Sequence, residues 1–170
     1  HFLVLAPNLT IYEKLKNDFS PSSKKYVFRG INEFVNNQPV IITGENYERG
    51  DGIRIDGKNY FGQINLFKDN DTPIINIFNI GKINSTDNQK KSSNQKSKIP
   101  KIKRIQETIG ESYFDYLSNL DDLIILMDEA HRYRGTAGSK AINELKPILG
   151  IELTATPKTI GSNSKIFKNI

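Results

Sequence analysis

The stretch Leu123-Ile124-Ile125-Leu126-Met127-Asp128-Glu129-Ala130-His131-Arg132 decides the fold. An unbroken apolar run leads straight into two adjacent carboxylates, a small residue and a histidine. A short run of this kind, without alternation, predicts a strand that is buried on both faces of a sheet. Asp128 and Glu129 then fall at its carboxyl end, where open α/β sheets bind their ligands. Because neighbouring carboxylates are costly to bury without a cation, the pair predicts a hydrated Mg²⁺ that carries the phosphates of a nucleotide triphosphate.

Two further segments have the same form, a strand followed at once by small or polar residues. The first is Phe2-Leu3-Val4-Leu5-Ala6-Pro7-Asn8, at the start of the chain. The second is Gly150-Ile151-Glu152-Leu153-Thr154-Ala155-Thr156-Pro157-Lys158, which follows the acidic pair at a distance of one helix and one strand.

These three segments carry a family resemblance. Asp-Glu-Ala-His after a hydrophobic strand resembles the Walker B box, motif II, of superfamily two helicases and translocases. Residues 150–158 resemble motif III of the same enzymes, and residues 2–8 resemble motif Ia. Among the families with this set, the chain looks most like the restriction (Res) subunit of type III restriction-modification enzymes, with the strongest likeness over residues 1–19 and 120–158.

The resemblance implies a role for each matching residue. Asp128 would hold Mg²⁺, usually through water, and Glu129 would polarise the water that attacks ATP. His131 would link the state of the γ-phosphate to a second motor lobe. The motif III residues would couple hydrolysis to movement, and the motif Ia loop would touch the phosphates of DNA; these residues are Thr154, Ala155 and Thr156, and Pro7 and Asn8.

The chain departs from the family pattern in one clear respect. It contains no Walker A sequence, Gly-x-x-x-x-Gly-Lys-Ser/Thr, which the family places just before motif Ia. A second lobe with its arginine finger and a nuclease domain are also not found in the sequence. We therefore expect residues 1–170 to be a partial first motor domain from a longer polypeptide, and we expect this piece to be inactive as an ATPase by itself.

Composition sets the broad class. The 170 residues suffice for one domain with a real core, cysteine is absent, and no apolar run is long enough to span a membrane. We expect a cytoplasmic protein. The net charge of +5 is unevenly distributed, because residues 82–104 carry +7 and the rest of the chain carries −2. A basic excess confined to one segment indicates a local contact with an anion.

The centre of that basic segment, Asn84 to Lys98, is rich in Ser, Asn, Gln and Lys. It holds too few apolar residues to offset the entropy of ordering, so we expect a disordered loop over residues 84–98. One interpretation is that its lysines contact DNA phosphates without reading sequence; these are Lys90, Lys91, Lys96 and Lys98. The alternative is a solvated insertion with no contact.

The remaining pattern predicts the other elements. Ile11, Leu15 and Phe19 give one face of a helix, capped by Thr10 through a Thr-x-x-Glu box or by Asn8. Strands are predicted at residues 26–28, 40–43 and 73–80, and an Asp-Gly turn predicts a hairpin over residues 53–61. Apolar residues from Ile105 to Leu120 recur at helical spacing, and Ser139 is a candidate cap for a helix that carries Ile142 and Leu145.

Alternating strands and helices predict an α/β fold with a central parallel sheet flanked by helices, which is the RecA-like P-loop NTPase core. The function that follows is the ATP-dependent DNA translocase motor of a Res subunit, with ATP and Mg²⁺ as cofactors. Double-stranded DNA and the modification (methyltransferase) subunit are the implied partners. Two alternatives stay open: another superfamily two DNA helicase, and a non-catalytic RecA-like module that binds DNA or a partner protein.

Overall fold

The structure is a computed structural model, and it describes residues 1–55, 58–59, 72–83, 100–107, 109–133 and 136–154. In chain order the strands and helices are β1 (Phe2–Ala6), α1 (Leu9–Asp18), α2 (Glu33–Asn36), β2 (Val40–Thr43), β3 (Arg54–Ile55), β4 (Lys58–Asn59), β5 (Ile74–Asn79), α3 (Ile80–Ile83), α4 (Tyr113–Ser118), β6 (Ile124–Asp128), α5 (Thr136–Glu144) and β7 (Leu149–Leu153). Short 3₁₀ turns cover Tyr47–Arg49, Lys101–Lys103 and Ala130–Arg132.

Five of these strands form one sheet in the order β2-β5-β1-β6-β7. Every neighbouring pair in it is parallel. The first strand along the chain lies in the middle, where Phe2 is in register with Ile75 on one side and with Ile124 on the other. The predicted fold class is confirmed: this is an α/β protein with a parallel sheet, consistent with a RecA-like core.

Alternate residues of each strand point to opposite sides, so both faces of the sheet carry apolar side chains. Helices cover both of these faces. On one face, Val4 and Ile77 pack with Tyr12 and Leu15 of α1. The opposite face holds the larger core, which is built from strand residues, the α4 aromatics and the apolar side of α5; it includes Leu3, Leu5, Phe78, Tyr113, Phe114, Leu117, Ile125, Met127, Ile142 and Leu145.

Burial of β6 differs between its two faces. Leu123, Ile125 and Met127 are buried on the side of the larger core. Ile124 and Leu126, on the other side, are only half-buried. The predicted burial on both faces is therefore correct for one face and wrong for the other. On that second face the neighbouring strand β7 also exposes its apolar side chains, Leu149, Ile151 and Leu153.

Four further predictions are confirmed, and for the helix the structure decides between its two candidate caps. The strands at Val40–Thr43 and Ile74–Asn79 form as expected, and β3 and β4 pair antiparallel as the predicted hairpin. Of that hairpin, residues 56–57 and 60–61 lie outside the described residues. Helix α1 begins at Leu9, so the cap is Asn8, whose Oδ1 accepts a hydrogen bond from the Ile11 amide at 2.9 Å. The Thr10 box is not used.

Three predictions are wrong, each for a local reason. Residues 26–28 form turns, because the amides of Tyr26 and Arg29 bond to carbonyls three residues earlier. The predicted helix from Ile105 is only α4, because Ile105 bridges to Ser112 and Gly110 adopts φ +72°, which a helix cannot include. Ser139 lies inside α5 and not at its cap, since the helix begins at Thr136.

Candidate functional site

The carboxyl ends of the five parallel strands lie at one edge of the sheet. Pro7 and Asn8 follow β1, Gly44 follows β2 and Ile80 follows β5. On the other side of β1, Asp128 ends β6 and Thr154 follows β7. Because β1, β6 and β7 are neighbours in the sheet, the three motif segments identified from the sequence end side by side.

Asp128 and Glu129 differ in backbone conformation although they are adjacent. Asp128 is the last residue of β6, is half-buried and lies in register with Leu153 of β7. Glu129 has φ 54° and ψ 47°, the left-handed conformation that residues with a Cβ rarely adopt. Such a conformation costs on the order of 1–3 kcal/mol and persists only where the surroundings hold it. The chain therefore turns sharply at Glu129 and leaves the carboxylate 39% exposed at the sheet edge.

His131 connects the two motifs that follow β6 and β7. Its Nδ1 lies 3.2 Å from Thr154 Oγ1 and 3.2 Å from Glu129 Oε2. The imidazole is three-quarters buried, and it is held in a 3₁₀ turn, Ala130–Arg132, that follows Glu129 directly. The arrangement places one ring nitrogen within reach of both a carboxylate and a hydroxyl from strands that are neighbours in the sheet.

Sequence reasoning missed Tyr133, the residue that closes this turn. Its side chain is buried, and its hydroxyl donates a hydrogen bond to the Leu5 carbonyl of β1 at 2.8 Å. Burial raises the pKa of Tyr133, and the negative charges of Asp128 and Glu129 add to the rise while Arg132 opposes it. The signal in the sequence was an aromatic residue two positions after His131, in an otherwise charged stretch.

Pro7 and Asn8 form the connection between β1 and α1. Asn8 is the N-cap of α1, and its side-chain oxygen is engaged by the Ile11 amide. Helix α1 therefore begins next to the end of β1, and a helix N-terminus favours negative charge.

A second group of polar residues at this edge was also missed. Glu45 accepts hydrogen bonds from Tyr12 at 2.8 Å and from Lys16 at 3.0 Å. The Gly44 amide donates to the Tyr12 hydroxyl at 3.0 Å, and Lys82 donates to the Gly44 carbonyl at 3.2 Å. These contacts connect α1 and α3 to the loop after β2, so they link the segments that follow three of the strands.

A comparison with protein-family models decides the family. The model described as "Type III restriction enzyme, res subunit" matches residues 1–159. The chain belongs to this family. No curated protein and no solved structure matches the chain significantly. The Res family is that of a helicase-like motor domain of type III restriction enzymes, so membership implies interaction with DNA and nucleotide binding with a metal.

The residues at the end of β6 fit such a metal. Mg²⁺ prefers oxygen ligands and is usually held by one or two carboxylates together with substrate phosphates and water. Asp128 offers a half-buried carboxylate at the strand end, and Glu129 offers a second, more exposed one beside it.

Across the part of the chain that the structure describes, none of the helices has the length and apolar character of a membrane span.

Several residues of the Res-family motifs lie outside the described residues. Thr154 is the last described residue of the motif III segment, so Ala155 and Thr156 are not among them. The same holds for the basic loop at residues 84–98, with Lys90, Lys91, Lys96 and Lys98. Their predicted roles stay predictions.

Proposed function

We propose that this chain is part of the first RecA-like lobe of an ATP-dependent DNA translocase in a type III restriction enzyme. The observation that carries the proposal is the set of contacts that joins Glu129, His131 and Thr154 at the sheet edge. Glu129 lies within 3.2 Å of His131, and His131 lies within 3.2 Å of Thr154. The carboxylate that would orient the water, Glu129, and the motif III hydroxyl, Thr154, thus both contact the imidazole of His131. Such an arrangement suits a site where hydrolysis drives movement.

In the proposed site, Asp128 and Glu129 take different roles. Asp128 and Glu129 would be the residues that hold Mg²⁺, which would supply positive charge to offset the negative charge of the nucleotide phosphates. Asp128 is the half-buried last residue of β6, and it would hold the metal through water. Glu129, turned outward by its left-handed backbone, would accept a hydrogen bond from the attacking water and orient it.

His131 and the motif III segment would pass the state of this site onward. An imidazole ring nitrogen can serve as donor to either Glu129 or Thr154, and a change in the charge near Glu129 alters which contact is preferred. Thr154, followed by Ala155 and Thr156, would carry that change toward a second lobe.

DNA would be contacted at the connection between β1 and α1. The N-terminus of α1 with Asn8, and Pro7 before it, are suited to a backbone phosphate because helix termini attract anions. Lysines of residues 82–104 would add non-specific contacts, and the modification subunit would be a partner in the whole enzyme. Translocation and cleavage of double-stranded DNA are then the outputs of ATP hydrolysis.

The test uses the full-length protein and the substitution Glu129→Gln. Gln keeps the shape of the side chain but does not accept a proton from water, so we expect ATP binding to be retained while turnover falls by about 10²-fold or more. Asp128→Asn should weaken nucleotide binding in Mg²⁺ and leave binding in excess chelator unchanged. Glu33→Gln, an exposed carboxylate on α2, is the matched control and should behave as wild type.

Each alternative function has its own result in that experiment. If wild-type protein neither binds nor hydrolyses ATP, the non-catalytic module is the correct reading. If it hydrolyses ATP and Glu129→Gln turns over at the wild-type rate, Glu129 is not the water-orienting residue. ATP-driven strand separation without displacement of a triplex-forming oligonucleotide from duplex DNA would instead favour another superfamily two helicase.

A further inference from the structure

Tyr133 joins the turn after β6 to the middle strand of the sheet. It follows the 3₁₀ turn Ala130–Arg132 and is only 3% exposed. Its hydroxyl donates to the carbonyl of Leu5 at 2.8 Å, although the two residues are far apart in sequence. Leu5 is the penultimate residue of β1, so the hydrogen bond ends two residues before Pro7 and three before Asn8.

The backbone of Tyr133 is fixed as firmly as its side chain. Its amide donates to the Ala130 carbonyl at 3.0 Å, and its carbonyl accepts the Ser139 hydroxyl at 3.2 Å. A Cβ added at Gly138 would lie 2.7 Å from the Tyr133 carbonyl oxygen, closer than real side chains approach. Helix α5 therefore packs directly on this carbonyl, and the small residue at 138 is required for that approach.

These contacts explain how the strained backbone of Glu129 is held. The left-handed conformation at Glu129 needs fixed points on both sides. Strand β6 is the fixed point before it. Tyr133, tied to β1 by its hydroxyl and to α5 by its carbonyl, is the fixed point after it. A tyrosine hydroxyl is protonated at neutral pH, and burial raises the pKa of Tyr133 further, so the hydrogen bond to Leu5 persists across the neutral range.

We propose that Tyr133 is a positioning residue that couples the DNA-contacting loop after β1 to the catalytic turn at Glu129 and His131. This inference rests on the function proposed above. A phosphate bound at Pro7 and Asn8 adjusts the end of β1, the Leu5 carbonyl moves with it, and the Tyr133 hydroxyl carries the movement to the turn that holds Glu129. DNA thereby stimulates ATP turnover through one buried hydrogen bond.

The test is Tyr133→Phe in the full-length protein, which removes the hydroxyl and keeps the ring. We measure kcat and KM for ATP with and without saturating duplex DNA, and DNA affinity separately. We expect the KM for ATP and the DNA affinity to stay within about twofold of wild type, while kcat without DNA falls because the Glu129 turn loses one of its anchors; the decisive quantity is the ratio of kcat with DNA to kcat without DNA. The stimulation of kcat by DNA should fall by about fivefold or more, the size of a typical coupling between sites.

Tyr116→Phe is the matched control. Tyr116 is also buried, and its hydroxyl also donates to a backbone carbonyl, that of Gly52 at 3.1 Å, but it lies on α4 away from the Glu129 turn. A purely structural effect of losing a buried hydroxyl would appear in both variants. Retained DNA stimulation in Tyr133→Phe, or an equal loss in Tyr116→Phe, would overturn the inference.

Ser139→Ala keeps the inference testable if Tyr133→Phe fails to fold. This variant loosens the other anchor of Tyr133 and should reduce the stimulation of kcat by DNA, but by less than Tyr133→Phe does. Unchanged stimulation would overturn the inference.

The proposed function and the proposed role of Tyr133 fail in different ways. Stimulated turnover that is lost in Glu129→Gln but intact in Tyr133→Phe removes only the role of Tyr133, whereas a wild-type protein without ATPase activity removes both.

Discussion

At the scale of single residues, Glu45 shows how much one exposed carboxylate is tuned by its neighbours. Burial alone would raise the pKa of Glu45, but hydrogen bonds from Thr43, Lys16 and Tyr12 outweigh it and hold the pKa below its ordinary value of 4.5. The ionised form is thus the one that fastens α1 to the loop after β2.

This tuning predicts a pH-dependent contribution to stability. A carboxyl whose pKa is lowered by folding stabilises the native state above its unfolded pKa, and the effect is lost as pH falls through the lower folded pKa. Glu45→Gln should lower the Tm near neutral pH by about 1–3 °C. The difference from wild type should shrink as the pH falls below 4.5, the ordinary pKa of Glu45.

The measurement is thermal unfolding of both proteins at steps of pH from neutral into the acid range. Glu33→Gln provides the control, because Glu33 lies exposed on the short helix α2. A difference between wild type and Glu45→Gln that does not vary with pH would contradict the role given to the ionised carboxylate.

The position of a site residue could be predicted from the sequence only where that position depends on residues close to it along the chain. The apolar run that ends at Asp128 was enough to predict a strand and to put both carboxylates at its end. The contact of His131 with Thr154 depends on how β6 and β7 pair, and the left-handed turn at Glu129 depends on the contacts that fix the chain after it; local sequence encodes neither. Tyr133 was missed because its partner is a backbone carbonyl of the first strand.

At the scale of elements, a buried polar contact adds to the apolar packing that holds α4 to the sheet. Tyr113 donates its hydroxyl to Asn76 Oδ1 at 2.6 Å, and both residues are fully buried. Asn76 in turn donates to the Phe2 carbonyl at 3.1 Å, so the contact joins α4, β5 and β1. A polar pair of this kind is stable only while each partner is satisfied.

Tyr113→Phe should therefore lower the free energy of unfolding by about 1–3 kcal/mol, because it leaves the Asn76 oxygen buried without its donor. Tyr47→Phe is the comparison. Tyr47 is equally buried, but its hydroxyl bonds to Glu48, whose side chain is 48% exposed and regains water when the contact is lost. Urea unfolding midpoints of the two variants measure the difference; a smaller loss for Tyr113→Phe than for Tyr47→Phe would refute the explanation.

The elements also show where periodicity misleads. Apolar spacing from Ile105 to Leu120 resembled one long helix, yet Ile105 is 76% exposed and the helix starts only after Ser112. The Ser112 hydroxyl accepts from the Asp115 amide at 3.0 Å, so a capping residue set the start. The left-handed glycine at 110 reverses the chain before that cap, and a pattern of apolar residues carries no sign of it.

At the scale of the whole molecule, the uneven charge bears on the proposed binding of DNA. Residues 82–104 carry +7, whereas the rest of the chain is slightly acidic. We predict that replacing Lys90, Lys91, Lys96 and Lys98 with Ser in the full-length protein makes the dependence of DNA affinity on salt shallower. Each lysine that contacts a phosphate should reduce the slope of log K against log salt by about 0.9.

The control for this prediction replaces exposed lysines elsewhere: Lys14, Lys24, Lys25 and Lys140. It changes the net charge equally, so any difference between the two variants reports on position. Equal slopes for wild type and both variants would show that the 84–98 loop is solvated and makes no contact with DNA.

The position of β1 in the middle of the sheet also has a consequence for how the protein is made. Phe2 pairs with Ile75 on one side, but its other partner, Ile124, follows it by about 120 residues. A ribosome adding about 5–20 residues per second needs about 6–24 s to deliver that partner. Until Ile75 is made both edges of β1 are unpaired, and from then until Ile124 is made one edge stays open, the kind of surface that captures other chains. We therefore expect synthesis, more than the finished fold, to be the stage at which this protein depends on chaperones.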